Sequence, residues 1–117
     1  MHILLVDDDN EIRQIICEFL ENRNHTVTAV PDGLKALLYL DDHIDVIITD
    51  IQMPGISGID LLRTTRERFP DLPVILITAH SSFETAIAAL RDKAYDYLQK
   101  PLKLRELLDI INRLKKK

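Results

Sequence analysis

The stretch Val46-Ile47-Ile48-Thr49, with Asp50 directly after it, decides the fold class that we predict for this chain. Its first three residues are apolar at successive positions, which is typical of a strand buried on both faces of a parallel sheet. Ile3 to Val6 and Val74 to Thr78 have the same character. These three segments are therefore predicted to be the central strands of one sheet.

Two further segments are predicted to be edge strands. Thr26 to Val30 alternates in polarity, and Tyr95 to Leu98 includes the charged Asp96. Between the strands, apolar residues return every three or four positions, which indicates helices. The predicted helices are Ile12 to Leu20, Gly33 to Leu40, Gly58 to Phe69, Phe83 to Arg91 and Leu104 to Ile111. This alternation predicts an α/β fold, a flavodoxin-like, doubly wound, five-stranded parallel sheet, (βα)5, with strand order 2-1-3-4-5.

Length and composition favour one ordinary globular domain. We expect residues 1–117 to form it, with a linker beginning at 115–117. The net charge of -4 argues against direct nucleic-acid binding. Apolar runs of about five residues are far too short to cross a bilayer, and the N-terminus runs straight into a strand, so we expect a cytoplasmic protein without membrane contact or export signal. The lone Cys17 cannot form an internal disulfide and is expected to pack in the core.

Polar residues collect where the predicted strands end. In an open parallel sheet, ligands bind at the carboxyl ends of the strands, so these residues are expected to lie at one edge. They are Asp7, Asp8 and Asp9 after the first strand, Asp50 after the third, Thr78 at the end of the fourth, and Lys100 and Pro101 after the fifth.

Carboxylates crowded at one edge repel each other unless a cation neutralises them. Oxygen ligands without histidine or cysteine favour a hard ion, Mg²⁺ or Mn²⁺. An ionised aspartate beside such an ion can attack phosphorus and form an acyl phosphate. Lys100 supplies a compact positive charge and Thr78 a hydroxyl donor for the transferring group. The edge is therefore a candidate phosphoryl-transfer site.

The chain resembles the response-regulator receiver family of two-component systems over essentially its whole length. The matching segments are Leu5-Val6-Asp7-Asp8, Thr49-Asp50-Ile51-Gln52-Met53-Pro54-Gly55 with Gly58 after it, Thr78-Ala79, and Tyr97-Leu98-Gln99-Lys100-Pro101. Their joint order and spacing make the resemblance specific.

The resemblance implies a role for each matched residue. Asp50 would be the phosphoacceptor. The metal ligands would be Asp7, Asp8, Asp50 and the backbone carbonyl of Gln52, with Asp8 favoured over Asp7 as a direct ligand. Thr78 would hydrogen-bond the phosphoryl group, Lys100 would pair with it, and the Lys100-Pro101 peptide bond would be cis. Tyr97 would be the aromatic switch residue, moving inward when Thr78 is drawn to the phosphate.

The resemblance also implies a function. A sensor histidine kinase or a histidine phosphotransfer protein would phosphorylate Asp50. The face formed by the predicted fourth helix, the fifth strand and the last helix would then act on an effector domain or target protein, with transcription as one output. The domain would not be an enzyme beyond self-catalysed phosphotransfer and autodephosphorylation. A phosphorylation-dependent homodimer through the last helix remains open.

Three positions depart from the common pattern of the family. Lys93 stands where glycine is frequent, which predicts a different helix end or mild backbone strain. Gln52 and His80 would flank the phosphoryl group and influence attack by water.

Taken singly, the same residues have simpler explanations. Asp7, Asp8 and Asp9 can cap a helix, Asp50 can be a turn residue, and Tyr97 can merely pack an edge strand. The run Lys115-Lys116-Lys117 is expected to solvate the last helix and complement its dipole, with contact to nucleic acid as the alternative. Gly55 and Gly58 are predicted to be turn residues. The scattered His2, His25, His43 and His80 make a zinc site improbable.

Two other functions compete with the switch. A hydrolase that forms an aspartyl phosphate commonly has a second acid two residues after its nucleophile, and Gln52 occupies that position here. A phosphorylation-independent interaction module on the same fold would have no need of mutually repelling carboxylates.

Overall fold

A computed structural model describes residues 1–79, 88–89 and 91–115, and its elements alternate along the chain. The strands are β1 (His2–Val6), β2 (Thr26–Val30), β3 (Val46–Asp50), β4 (Val74–Thr78) and β5 (Asp96–Gln99), and the helices are α1 (Asn10–Glu21), α2 (Gly33–Tyr39), α3 (Gly58–Arg68) and the C-terminal helix (Leu104–Lys115). All strand pairs are parallel, in the order β2-β1-β3-β4-β5. This confirms the predicted flavodoxin-like sheet. Within the described ranges no helix is long and apolar enough to cross a bilayer.

The core lies on both faces of the sheet, as the unbroken apolar runs predict. The described residues of β3 and β4 are all buried. Successive side chains of a strand point to opposite faces, so Leu4 and Ile47 pack in one cluster while Leu5 and Ile48 pack in the other. Burying one such side chain contributes about 1.5–3 kcal/mol, which makes the two-sided core the main source of stability. The central strands thus give the carboxyl edge a rigid base.

Some element ends differ from the prediction by one residue. Asp50 pairs with Ile77 as the last residue of β3 rather than following the strand. β5 begins at Asp96 instead of Tyr95 and extends to Gln99. Both shifts bring the polar residues closer to the ladder of the sheet, which restricts their backbone more than a loop would.

The helix that precedes β5 ends at a left-handed residue. Residues 88, 89 and 91 are helical, whereas residues 80–87 and 90 of the predicted Phe83 to Arg91 segment lie outside the described part. Lys93 has φ +62°, and the N–H of Ala94 donates to the carbonyl of Ala89 at 2.9 Å. This is the Schellman geometry that glycine usually provides, so Lys93 carries the backbone strain expected for a residue with a Cβ.

Cys17 packs against the core, as expected, but is not fully buried. It is half-buried at the margin of the core, and its thiol donates to the Glu21 carboxylate at 3.3 Å. Burial and the neighbouring Glu21 raise the pKa of the Cys17 thiol to about 11. A thiol of this kind stays protonated at neutral pH and is a weak nucleophile.

Candidate functional site

Three carboxylates meet at the carboxyl edge, from two adjacent strands. Asp7 and Asp8 follow β1, and Asp50 ends β3, which pairs with β1. One oxygen from each of the three lies within 4.8 Å of the other two. Asp7 is 1% exposed and Asp50 is 6% exposed, while Asp8 is exposed to solvent. The cluster therefore forms a hollow with two carboxylates at its base and one at its mouth.

Lys100 borders the hollow on the side of β5. It follows β5, and its Nζ donates to Asp50 Oδ2 at 3.0 Å and lies 3.2 Å from Asp7 Oδ2. Its backbone N–H donates to the carbonyl of Thr78 at 2.7 Å, and the Lys100-Pro101 peptide bond is cis. A residue fifty positions from Asp50 is thus fixed against it by the neighbouring strand.

The charges of the hollow shift each other's ionisation. Burial is the largest cause that raises the pKa of Asp7, and the charge of Asp50 adds to it, while the Asp9 N–H and Lys100 act in the opposite direction. Burial lowers the pKa of Lys100, but its hydrogen bond to Asp50 and the charges of Asp7 and Asp50 outweigh that effect, so its pKa is raised. One ammonium therefore stays charged and compensates the carboxylates only in part.

The donor set fits a hard divalent cation. Asp7 Oδ2 is buried and has no well-aligned hydrogen-bond donor among the described residues, although Lys100 Nζ lies within ion-pair distance of it. A buried carboxylate oxygen without a directional partner is costly, so such an atom indicates a missing cation or donor. Three clustered carboxylates without histidine or cysteine match the ligands of Mg²⁺.

Gly58 is the first residue of α3, as the predicted helix has it, but it also has a role that its prediction as a turn residue missed. Its N–H donates to the carbonyl of Ile51 at 2.8 Å. A Cβ on Gly58 would lie 2.8 Å from Cα of Ile51 and still closer to the carbonyl oxygen of Asp50. The absence of a side chain lets α3 begin directly against the backbone that carries Asp50. Gly55, with φ +80°, is a true turn residue of the intervening loop.

Comparison with known protein families identifies the kind of domain. The family model described as "Response regulator receiver domain" matches residues 3–112. The chain belongs to the response-regulator receiver domain family. Like this chain, the C4-dicarboxylate transport transcriptional regulatory protein DctD of Pseudomonas aeruginosa contains the matching region, with 40% identity over 112 residues that cover 95% of the chain and 24% of DctD.

Two other proteins extend the comparison of this receiver domain. The DNA-binding transcriptional regulator NtrC of Escherichia coli is 38% identical over 112 residues, which cover 95% of the chain and 24% of NtrC. The solved receiver domain of the Francisella response regulator 1452 is 37% identical, with a TM-score of 0.88, and the match covers 98% of this chain and 96% of that one. The receiver domain thus spans about a quarter of the length of the curated relatives that it matches.

The remaining matched positions of the receiver domain lie on β4 and β5 or directly after β3. Thr78 ends β4, next to β3, and is 1% exposed. Tyr97 pairs with Leu76 and packs partly buried against the core, and its hydroxyl is buried without a hydrogen-bond partner among the described residues. The N–H of Gln52 donates to Asp50 Oδ1 at 3.3 Å. His80 lies outside the described residues.

The loop that carries Asp7 and Asp8 is held by contacts that its sequence only partly foretells. Asp9 caps α1 by accepting from the N–H groups of Glu11 and Ile12, as expected, and its own N–H donates to Asp7 Oδ1 at 2.9 Å. Arg13 also donates to the Asp7 carbonyl oxygen at 2.7 Å, a contact that sequence reasoning missed. An arginine one helical turn after the capping residue is compatible with this contact but does not specify it.

Proposed function

We propose that this receiver domain is a phosphorylation-activated switch in which Asp50 accepts a phosphoryl group from a phosphohistidine of a sensor kinase or phosphotransfer protein. The observation that carries the proposal is the meeting of Asp50 with two further carboxylates and with the ammonium of Lys100 in one hollow. No side chain in the described hollow other than Asp50 combines burial, a position at a strand end and hydrogen bonding to Lys100.

The transfer conserves atoms and charge in a simple way. A carboxylate oxygen of Asp50 forms a bond to phosphorus while the bond from phosphorus to the donor nitrogen breaks, and the leaving imidazole takes up a proton. The product is an acyl phosphate on Asp50. Lys100, already 3.0 Å from the carboxylate, is positioned to pair with a phosphoryl oxygen, and the Thr78 hydroxyl is our candidate for a second donor.

Mg²⁺ is the proposed cofactor, with Mn²⁺ as a substitute. Asp7, Asp8, Asp50 and the backbone carbonyl of Gln52 would hold it, with Asp8 as the favoured direct acidic ligand. When bound, the ion spreads the negative charge of the phosphoryl oxygens, as in other phosphoryl transfers. The chain itself supplies the nucleophile, the orientation of its carboxylate and the compensating charge of Lys100.

The proposed output depends on the residues beside the hollow. A phosphoryl group adds about -1.5 to -2 charge and three acceptors, which would draw Thr78 and Lys100 toward Asp50. Tyr97, whose buried hydroxyl lacks a partner in the described part, would then change its packing on β5. The shift would alter the face that β5 and the C-terminal helix share and thereby select a different partner state.

The proposed partners follow from the relatives. DctD and NtrC are named as transcriptional regulators, so we propose that a longer cytoplasmic protein contains residues 1–117 as one domain and controls transcription through an effector domain. A kinase or a phosphotransfer protein would supply the phosphoryl group. A phosphorylation-dependent homodimer is one form that the output would take. We propose no direct contact of this domain with DNA or membrane and no enzymatic activity toward external substrates.

The experiment is direct labelling with a small donor. Incubation with acetyl phosphate and Mg²⁺ is expected to add the mass of one phosphoryl group in intact-protein mass spectrometry, and EDTA is expected to prevent it. Asp50→Asn, which keeps the shape of the side chain, should gain no mass. Asp109→Asn, an exposed carboxylate on the C-terminal helix, is the matched control and should be labelled like the wild type. Equal labelling of Asp50→Asn and wild type, or no labelling of either, would refute the proposal.

A further inference from the structure

Arg13 is a cation of α1 that contacts the loop of Asp7 and Asp8. Its guanidinium donates to the carbonyl oxygen of Asp7 at 2.7 Å and to the side-chain oxygen of Asn10. Its backbone N–H donates to the carbonyl of Asp9 at 3.0 Å, which fixes it in the first turn of α1. The side chain thus bridges the rigid start of a helix to the peptide bond between Asp7 and Asp8.

Separate hydrogen bonds hold different parts of the chain around this peptide bond. The backbone N–H of Asp7 donates to Val30 on β2, and Asp7 Oδ1 accepts from the N–H of Asp9. These bonds hold the two ends of the loop, but they do not fix the orientation of the Asp7–Asp8 peptide plane. That orientation depends on the contact that the Asp7 carbonyl oxygen makes. Arg13 donates a hydrogen bond to that oxygen, and a hydrogen bond from a charged donor is shorter and stronger than one between neutral groups. Rotation of the plane would swing Asp8 away from Asp50.

We propose that Arg13 is a positioning residue for the metal site: it fixes the Asp7–Asp8 peptide so that the exposed carboxylate of Asp8 stays within reach of Asp50. The inference rests on the proposed function, because it assumes that Mg²⁺ binds this hollow. Arg13 touches neither the ion nor the phosphoryl group in this role. It acts through the backbone of the residue that does.

Electrostatics and positioning predict opposite effects when Arg13 is removed. If Arg13 were only a nearby positive charge, its loss would make the hollow more negative and tighten Mg²⁺ binding. If it positions Asp8, its loss weakens binding, since groups that orient metal ligands commonly change affinity by roughly 10- to 100-fold. The direction of the change therefore separates the two roles.

The test measures binding of Mg²⁺ alone by isothermal titration calorimetry. Arg13→Met keeps a long unbranched side chain and helix propensity but has no donor, and we expect its Kd to rise about tenfold, at the low end of that range. Arg13→Lys, which can still donate one N–H to the Asp7 carbonyl, should recover part of the loss. Arg23→Met is the matched control: Arg23 lies beyond the far end of α1 and donates to Phe19. It also removes one positive charge but should leave the Kd unchanged.

Each outcome decides between the two ideas. An unchanged or lower Kd in Arg13→Met, or an equal rise in Arg23→Met, would overturn the positioning role while leaving the proposed switch intact. Absence of Mg²⁺ binding by the wild type would overturn both. If Arg13→Met does not fold, as judged by circular dichroism, the comparison of Arg13→Lys with wild type carries the test, with a smaller rise in Kd expected and no rise contradicting the role.

Discussion

Replacing Asp7 by asparagine is predicted to stabilise the metal-free receiver domain. Burial raises the pKa of Asp7, so the ionised carboxylate lowers stability at neutral pH. Asparagine has nearly the same shape, and its side-chain oxygen can still accept from the N–H of Asp9, as Asp7 Oδ1 does at 2.9 Å. The substitution therefore removes the charge while keeping the local hydrogen bond.

The magnitude follows from three opposing contributions. With an effective dielectric constant of about 20, two carboxylate oxygens at the 4.8 Å limit of the cluster repel by about 3.5 kcal/mol. On the same scale Lys100, at 3.2 Å from Asp7 Oδ2, attracts it by about 5 kcal/mol. Taking the Asp7 charge out of water costs several kcal/mol more, which tips the balance against the ionised form. We expect asparagine to raise the free energy of unfolding by about 1–2 kcal/mol.

The pH dependence has a definite sign. Between the ordinary carboxyl pKa of 3.8 and the raised pKa of folded Asp7, the folded state binds more protons than the unfolded state. The wild-type free energy of unfolding therefore receives a contribution from Asp7 that falls as pH rises through this interval and stays low above it. Asp7→Asn lacks that contribution, so its advantage should be largest at neutral pH and shrink below about pH 4.

The assay is urea denaturation followed by circular dichroism, with EDTA and with Mg²⁺. At ten times its Kd, Mg²⁺ should stabilise the wild type by about 1.4 kcal/mol, and Asp7→Asn by less because one ligand has lost its charge. Asp109→Asn controls for the loss of an exposed carboxylate. Lower stability of Asp7→Asn in EDTA at neutral pH, or a difference from wild type that does not vary with pH, would refute the reasoning.

Two further substitutions probe the same hollow. Gly58→Ala should lower the free energy of unfolding by about 2 kcal/mol or more, because a Cβ would clash with the backbone of Asp50 and Ile51. It should also slow labelling by acetyl phosphate. Wild-type stability and labelling of this variant would show that α3 can move away from Asp50 at little cost. Lys100→Met should destabilise the metal-free domain by about 3 kcal/mol at neutral pH, since two buried carboxylates lose their cation. The loss of stability, measured by urea denaturation, should be smaller near pH 4. A loss that does not depend on pH would mean that Lys100 contributes packing alone.

The sequence was sufficient to predict the sheet because its central strands are buried on both faces. Short apolar runs such as Ile3 to Val6 are typical of strands buried on both faces, and alternation with helices then constrains the strand order. The meeting of Asp50 with Lys100 followed from one rule, that parallel strands end at one edge. What propensity could not set was the last residue of a strand, since Asp50 and Gln99 are held in the ladder by their neighbours.

The contacts of Gly58 and Arg13 were not predicted, for a different reason. Gly58 allows α3 to approach the backbone of Asp50, and the Arg13 side chain reaches the Asp7 carbonyl, but residue propensities specify neither distance. A glycine after a loop predicts a turn equally well, and an arginine in the first turn of a helix predicts a solvated side chain. Only the position of α3 against Asp50, and of α1 against the Asp7 carbonyl, distinguishes these cases.

The acidic hollow lowers the stability of the metal-free domain, so the packing of its side chains does not by itself explain their presence. Asp7 is 1% exposed, its Oδ2 lacks an aligned donor in the described part, and its charge is opposed by Asp50. We predict that an amide side chain, which keeps the hydrogen bond from the N–H of Asp9, is more stable there in the metal-free domain. A group that lowers stability at rest but gains a partner when a cation binds couples the fold to that ligand. Lys100 is shared between the carboxylates of Asp7 and Asp50 and neutralises them only in part. Its ammonium can therefore move toward a new negative charge without first having to leave an apolar environment.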